Sequence, residues 1–179
     1  MKPVRVISSH QVFDGGLIQV KVDTVLFPNG NQRERETVHH PGAVAILPVL
    51  PDGKMVLVRQ YRYATGRPLL EVPAGTLDPG ESPDACALRE LAEETGYQTK
   101  SLRRLCQFYC SPGWADEVLY AFVATDLVNG ESSPEEDEDL ELVEVAPDDV
   151  QRLIAQGEIA DAKTIVSLLG YLGLRLPIQ

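Results

Sequence analysis

The chain has 179 residues, 44% of them hydrophobic and 24% charged, which suits one domain with a substantial core and is short for two. No apolar run reaches the roughly 20 residues of a membrane span, and MKPVRVISSHQVFDGG puts no apolar block behind its basic residues, so neither a span nor a secretory leader is expected. The net charge of −11 is concentrated between Arg104 and Arg152, a stretch with 13 Asp and Glu and no Lys or Arg, and no basic face is left to neutralise a nucleic-acid backbone.

In chain order, Gly15-Gly16 and Pro28-Asn29-Gly30 read as turns. Between them, residues 17–27 alternate Ile18, Val20 and Val22 with Gln19, Lys21 and Asp23, the pattern of a half-buried strand. Residues 31–40 read as its hairpin partner. The continuous apolar run 43–50 suits a central buried strand, and Pro51-Asp52-Gly53 turns it into a strand over 55–60. A short strand over 69–74 runs into a loop at 75–81. Further strands are predicted over 102–109, 117–124 and 140–145, and helices over 147–156 and 162–174. Many strands and few helices, not in strict alternation, imply an α+β domain. Cys86, Cys106 and Cys110 form no CxxC pair and no even-numbered disulfide framework, so reduced thiols in a cytoplasm are expected.

The clearest helix covers 83–95. Ser82 is a good N-cap, Pro83 is favoured at the first helical position, and Gly96 suits the C-terminal stop. On a wheel of about 100° per residue, Ala85, Leu88, Leu91, Ala92 and Thr95 fall on one side and Glu90, Glu93 and Glu94 on the other. Three carboxylates within about one turn repel one another by roughly 0.2–0.5 kcal/mol per pair, and a bound cation would reverse that sign. Spacing alone leaves an exposed acidic face as an equal reading.

That helix continues a longer pattern. Gly75, five residues, Glu81, seven residues, then Arg89-Glu90-Leu91-Ala92-Glu93-Glu94-Thr95-Gly96 resembles the Nudix box at every fixed position; Tyr97 stands where an aliphatic residue is usual. The resemblance implies an α/β/α sandwich around a mixed sheet, with residues 1–40 as an N-terminal antiparallel sheet used for dimerisation and 41–179 as the hydrolase domain. It implies hydrolysis of a nucleoside diphosphate linked to another group, with Mg²⁺ or Mn²⁺. Glu90 and Glu94, four residues apart on a helix, offer hard oxygen ligands, with Glu93 beside them and the carbonyl of Ala74 as a further ligand. Gly75 would let the loop backbone approach metal and phosphate. Arg89 would orient the glutamates through charge-assisted hydrogen bonds, and Glu81 would support the metal shell.

Three further features resemble the ADP-ribose pyrophosphatase subgroup. Pro112 and Gly113 lie in Ser111-Pro112-Gly113, with Pro112 16 residues beyond Gly96. Arg59-Gln60-Tyr61-Arg62 precedes Leu70-Glu71-Val72-Pro73-Ala74-Gly75, which makes Arg62 a candidate for the diphosphate or terminal ribose; Arg35 is a second candidate, and both also read as solvated strand arginines. The acidic loop 135–139 corresponds to a segment that supplies a catalytic glutamate, with Glu136 the expected general base and Glu138 the expected metal ligand. The expected activity is therefore cleavage of ADP-ribose to AMP and ribose 5-phosphate by a cytoplasmic homodimer. Another nucleotide sugar, such as ADP-glucose or GDP-mannose, and a non-cleaving nucleotide-sugar sensor are the alternatives.

Overall fold

The computed structural model describes residues 3–130 and 139–173. Glu136 and Glu138 lie outside the described residues. The chain divides into two compact units, one formed by residues 1–42 and 108–118, the other by 43–107 and 119–179.

In the first unit, β1 (Arg5–Asp14), β2 (Gln19–Leu26) and β3 (Gln32–His39) form an antiparallel sheet in that order. The β2–β3 hairpin was predicted; β1 was not. Its sequence RVISSHQVFD lacks strict alternation, and the structure shows why: the β1–β2 register slips between Val6 and Ser8 and again between Gln11 and Phe13. Each bulge shifts the two-residue period and hides the strand from a pattern search. Within this unit, Asp116 accepts from His39 Nδ1 at 2.7 Å and from the His40 N–H at 2.9 Å.

The second unit is built on β4 (Ala43–Pro48), all six of whose residues are buried. It is followed by β5 (Met55–Arg62), β6 (Arg67–Glu71), β7 (Ala74–Thr76), α1 (Pro83–Thr95), β8 (Tyr97–Gln98), β9 (Ser101–Tyr109), β10 (Val118–Thr125), β11 (Val128–Asn129) and β12 (Leu140–Val145). Helices α2 (Val150–Ala155) and α3 (Ala162–Leu172) complete the chain. The strand expected over 69–74 is split at Val72-Pro73, because Pro73 has no N–H for a ladder. Its carbonyl still accepts from Ile46 N at 2.8 Å. The helix expected from 147 begins as a 3-10 turn over Pro147–Asp149. The last helix stops at Leu172, where Gly173 takes a positive φ of 63°.

One sheet has the order β7-β4-β10-β9, with β10 parallel and β7 antiparallel to β4; a second has the order β12-β5-β6 and is antiparallel. The fold is thus mixed α+β. Val44 and Ile46 of β4 join Phe122 and Ala124 of β10 in a cluster with Cys86, Ala87 and Leu91 of α1. Burying each large side chain of this kind stabilises by about 1.5–3 kcal/mol. This cluster also corrects the helical wheel. The inward face of α1 carries Cys86, Ala87, Leu91, Glu94 and Thr95, whereas Leu88 is 42% exposed and Ala85 is exposed. Glu90 and Glu94 sit on the packed side, not opposite it.

Candidate active site

The site is assembled where β7 passes α1. The helix starts as its sequence dictates, with Ser82 Oγ accepting from Ala85 N at 3.2 Å and Pro83 in the first turn. It ends at Gly96, whose φ is 72°. The caps set its bounds, and the packing of Cys86, Ala87 and Leu91 against Val44 and Ile46 of β4 sets its facing and so decides which carboxylates meet the loop. Gly75 lies so close to the helix that a Cβ there would stand 1.9 Å from Cδ and Oε1 of Glu90. One turn on, Glu94 is almost fully buried, and its Oε1 accepts from Ala74 N at 3.4 Å. Loop and helix therefore meet through carboxylates, with only hydrogen on the loop side.

Arg89 organises the rest. Its Nε and Nη2 each donate to Glu81 at 3.0 Å, and its Nη1 donates to Glu90 at 2.6 Å and to Glu93 at 2.9 Å. Nη2 also reaches the carbonyl of Thr76 at 3.3 Å. One guanidinium thus ties the loop 76–81, held through Thr76 and Glu81, to Glu90 and Glu93 of the helix. These bonds hold the Glu81 carboxyl down at about 2, against a burial penalty acting the other way, and its glutamates, Glu81 foremost, push Arg89 further up. Below them burial, and then the nearby Glu81 charge, push the Cys86 thiol up to about 12, so it stays neutral.

A cavity of about 470 Å³ opens here, lined by Arg62, Ala74, Gly75, Thr76, Asp78, Arg89, Glu90 and Glu93. Arg62 grips Glu71 with two parallel bonds, Nε at 3.0 Å and Nη2 at 2.8 Å. Lys163 Nζ donates to the same Glu71 Oε2 and lies 3.1 Å from Asp161 Oδ2. Burial acts to raise the Glu71 carboxyl, but the bonds from Arg62 and Lys163 outweigh it and leave the group below its ordinary value.

Of the residues singled out in the sequence, Arg62, Ala74, Arg89, Glu90 and Glu93 therefore line one cavity, and Glu94 lies behind them against Ala74. Arg35, Pro112 and Gly113 belong to the other unit. There Arg35 stacks over Phe27 at 5.2 Å, and Pro112 and Gly113 line a separate cavity of about 410 Å³ with Trp114 and Asp116. Glu71 and Lys163 were missed. Their signal was present: a lone acid inside the apolar run Leu69-Leu70-Glu71-Val72 must find a cation if it is buried.

Among the described residues, no three His, Cys, Asp or Glu side chains are gathered as a ready-made metal shell. The chemistry of the donors nonetheless fits a hard divalent cation. Glu81, Glu90 and Glu93 bring three carboxylates to one guanidinium, Glu94 adds a fourth against Ala74, and the bare Gly75 backbone leaves room for loop and carboxylate oxygens to approach together.

Comparison with known proteins agrees with this geometry. A family profile described as the NUDIX domain matches residues 38–168. An ADP-ribose pyrophosphatase of Bacillus subtilis is 44% identical over 177 residues, covering 98% of this chain and 95% of the relative. A methanol dehydrogenase activator of Bacillus methanolicus is 40% identical over 166 residues, covering 92% of this chain and 90% of the relative. A crystal structure of an ADP compounds hydrolase superposes with a TM-score of 0.86 at 26% identity, covering 96% of this chain and 93% of that one. The matched residues 38–168 take in Gly75, Arg89 and the α1 glutamates, and the chain belongs to the NUDIX domain family.

Proposed function

We propose that the chain is a metal-dependent pyrophosphatase that adds water across the diphosphate of ADP-ribose, giving AMP and ribose 5-phosphate. The observation that carries this reading is the α1 carboxylate cluster around the bare Gly75 backbone, beside a cavity that Arg62 lines. The extent of the likeness to the Bacillus subtilis ADP-ribose pyrophosphatase supports the choice of substrate.

Mg²⁺ or Mn²⁺, when bound, neutralises the diphosphate and makes a water molecule more acidic. Glu90, Glu94, the Ala74 carbonyl and Glu138 are the groups proposed to hold it. Arg89 keeps Glu90 and Glu93 oriented through the bonds described above and so fixes where their oxygens point. Glu93 contributes to catalysis beside them, and Glu136 takes the proton of the attacking water on its carboxylate. Arg62, Arg35, Pro112 and Gly113 are assigned to the substrate. A homodimer, built through the N-terminal sheet and working in the cytoplasm, completes the proposal.

The test is a panel of ADP-ribose, ADP-glucose and GDP-mannose, each with Mg²⁺ and with chelator. Release of AMP from ADP-ribose above the other hydrolyses, abolished by chelator and reduced at least about a hundredfold in Glu94→Gln, is the expected result. Hydrolysis insensitive to chelator, or a Glu94→Gln variant as active as the parent, would overturn the assignment.

A further inference from the structure

Arg62 and Arg89 are the two cations on the cavity wall, and Arg89 already serves three glutamates. Arg62 is therefore the residue left to meet an anionic substrate, yet two of its donors are held by Glu71. Glu71 is 1% exposed. A buried carboxylate gripping a guanidinium fixes its plane but also cancels its charge toward anything else. Lys163 answers that difficulty. Its ammonium shares Oε2 of Glu71, so the group Arg62–Glu71–Lys163 sums to +1 where Arg62–Glu71 alone would sum to zero. Asp161, the fourth member, also accepts from Thr164 N at 3.0 Å and Thr164 Oγ1 at 2.6 Å, where it caps α3. With Asp161 counted the set is neutral, and without Lys163 it would carry −1 beside the cavity.

The geometry adds to the charge argument. Arg62 ends β5 and precedes the 3-10 turn Tyr63–Thr65, whose Thr65 Oγ1 and the following Gly66 N–H both bond the Arg62 carbonyl, so its backbone is fixed. Glu71 ends β6, and Lys163 sits in the first turn of α3. Thr164 Oγ1 accepts from Val72 N at 2.9 Å, which locks that turn to the residue next to Glu71.

We propose that Lys163 is a positioning residue for substrate binding: acting through Glu71, it holds the Arg62 guanidinium in place and keeps it electrostatically open to the diphosphate. This rests on the hydrolytic function proposed above and assigns it a contributor from α3. The interaction is made with substrate and transition state alike, so its loss raises KM more than it lowers kcat.

The experiment measures steady-state ADP-ribose hydrolysis with Mg²⁺ for the unaltered protein, Lys163→Met, Arg62→Met, the double variant and Lys163→Arg. The expected result is a KM raised about tenfold in Lys163→Met with kcat within about threefold, recovery in Lys163→Arg, and no further KM rise in the double variant over Arg62→Met. Lys163→Gln, which keeps a donor and loses the charge, gives the same reading if Lys163→Met does not fold. An unchanged KM, or KM effects that multiply in the double variant, would overturn the role of Lys163. Absence of metal-dependent hydrolysis by the unaltered protein would instead overturn the function on which it rests.

Discussion

Gly75 shows how narrowly one residue is constrained. Its need is not a left-handed backbone, since a Cβ at this position meets the Glu90 carboxylate at 1.9 Å while the nearest other atoms are from that same side chain. The sequence put this glycine down to close approach of metal and phosphate; the structure adds that it must first admit Glu90. A methyl group here would collide with the far end of a flexible side chain, which can swing away, and not with fixed backbone. Gly75→Ala is therefore expected to leave the fold standing and displace Glu90. Since misplacing a catalytic group by about 1 Å costs on the order of a hundredfold, turnover should fall by tenfold to a hundredfold while the melting temperature moves by about 3 °C or less. Steady-state kinetics beside a thermal melt checks both. Lost activity with a collapsed melting temperature would mean that the contact is a fold requirement, not a site requirement.

At the scale of elements, α1 was legible in its limits and illegible in its facing. Ser82, Pro83 and Gly96 act locally through backbone hydrogen bonds and φ angles, so their positions predict the bounds of Pro83–Thr95 without reference to the rest of the chain. The facing depends on what the helix packs against. A wheel that ranks residues by hydrophobicity turns acids outward, but here Glu90 and Glu94 point inward and Leu88 outward, a local rule broken where the chemistry sits. The Arg62–Glu71–Lys163 group was hidden for a similar reason: its members are 9 and 92 residues apart and meet only after β5, β6 and α3 have packed. The tie from α1 to its preceding loop makes a prediction at this scale. The Glu81 carboxyl lies at about 2 in the fold against an ordinary 4.5, because Arg89 stabilises the charged form. Its contribution to stability is thus full above about pH 4.5 and is lost as pH falls toward about 2. Glu81→Gln should lower the melting temperature near neutral pH and flatten its decline between about pH 5 and about pH 3. Melting curves across that range that run parallel for the two proteins would show that the Glu81–Arg89 link does not carry acid stability.

For the whole molecule, buried apolar residues are distributed very unevenly. β4, β5, β10 and α1 supply most of the core, whereas Val25 is the one buried hydrophobic side chain among the described residues of 3–42 and 108–118. Conversely, Val6, Ile7, Val12 and Phe13 of β1 are all roughly half exposed. β1 is also an edge strand, hydrogen-bonded to β2 on one side, and its ten residues run roughly 33 Å. A long edge that carries four half-exposed hydrophobic side chains is a liability in an isolated chain unless something covers it. A second copy of the same strand meets that need with a self-complementary contact, the usual arrangement of a two-fold dimer. The expected outcome is a dimer in sedimentation at micromolar concentration, burying on the order of 800 Å² per partner. Charges on the edge should undo it: Val6→Lys with Val12→Lys is expected to give a monomer, because a lysine buried against its symmetry mate would be left without a counter-charge. The second unit keeps its own core in that variant, so its melting transition should survive the change. A parent protein that sediments as a monomer would overturn the dimer and leave the exposed β1 residues unexplained, and a double-lysine variant that still dimerises would place the interface elsewhere.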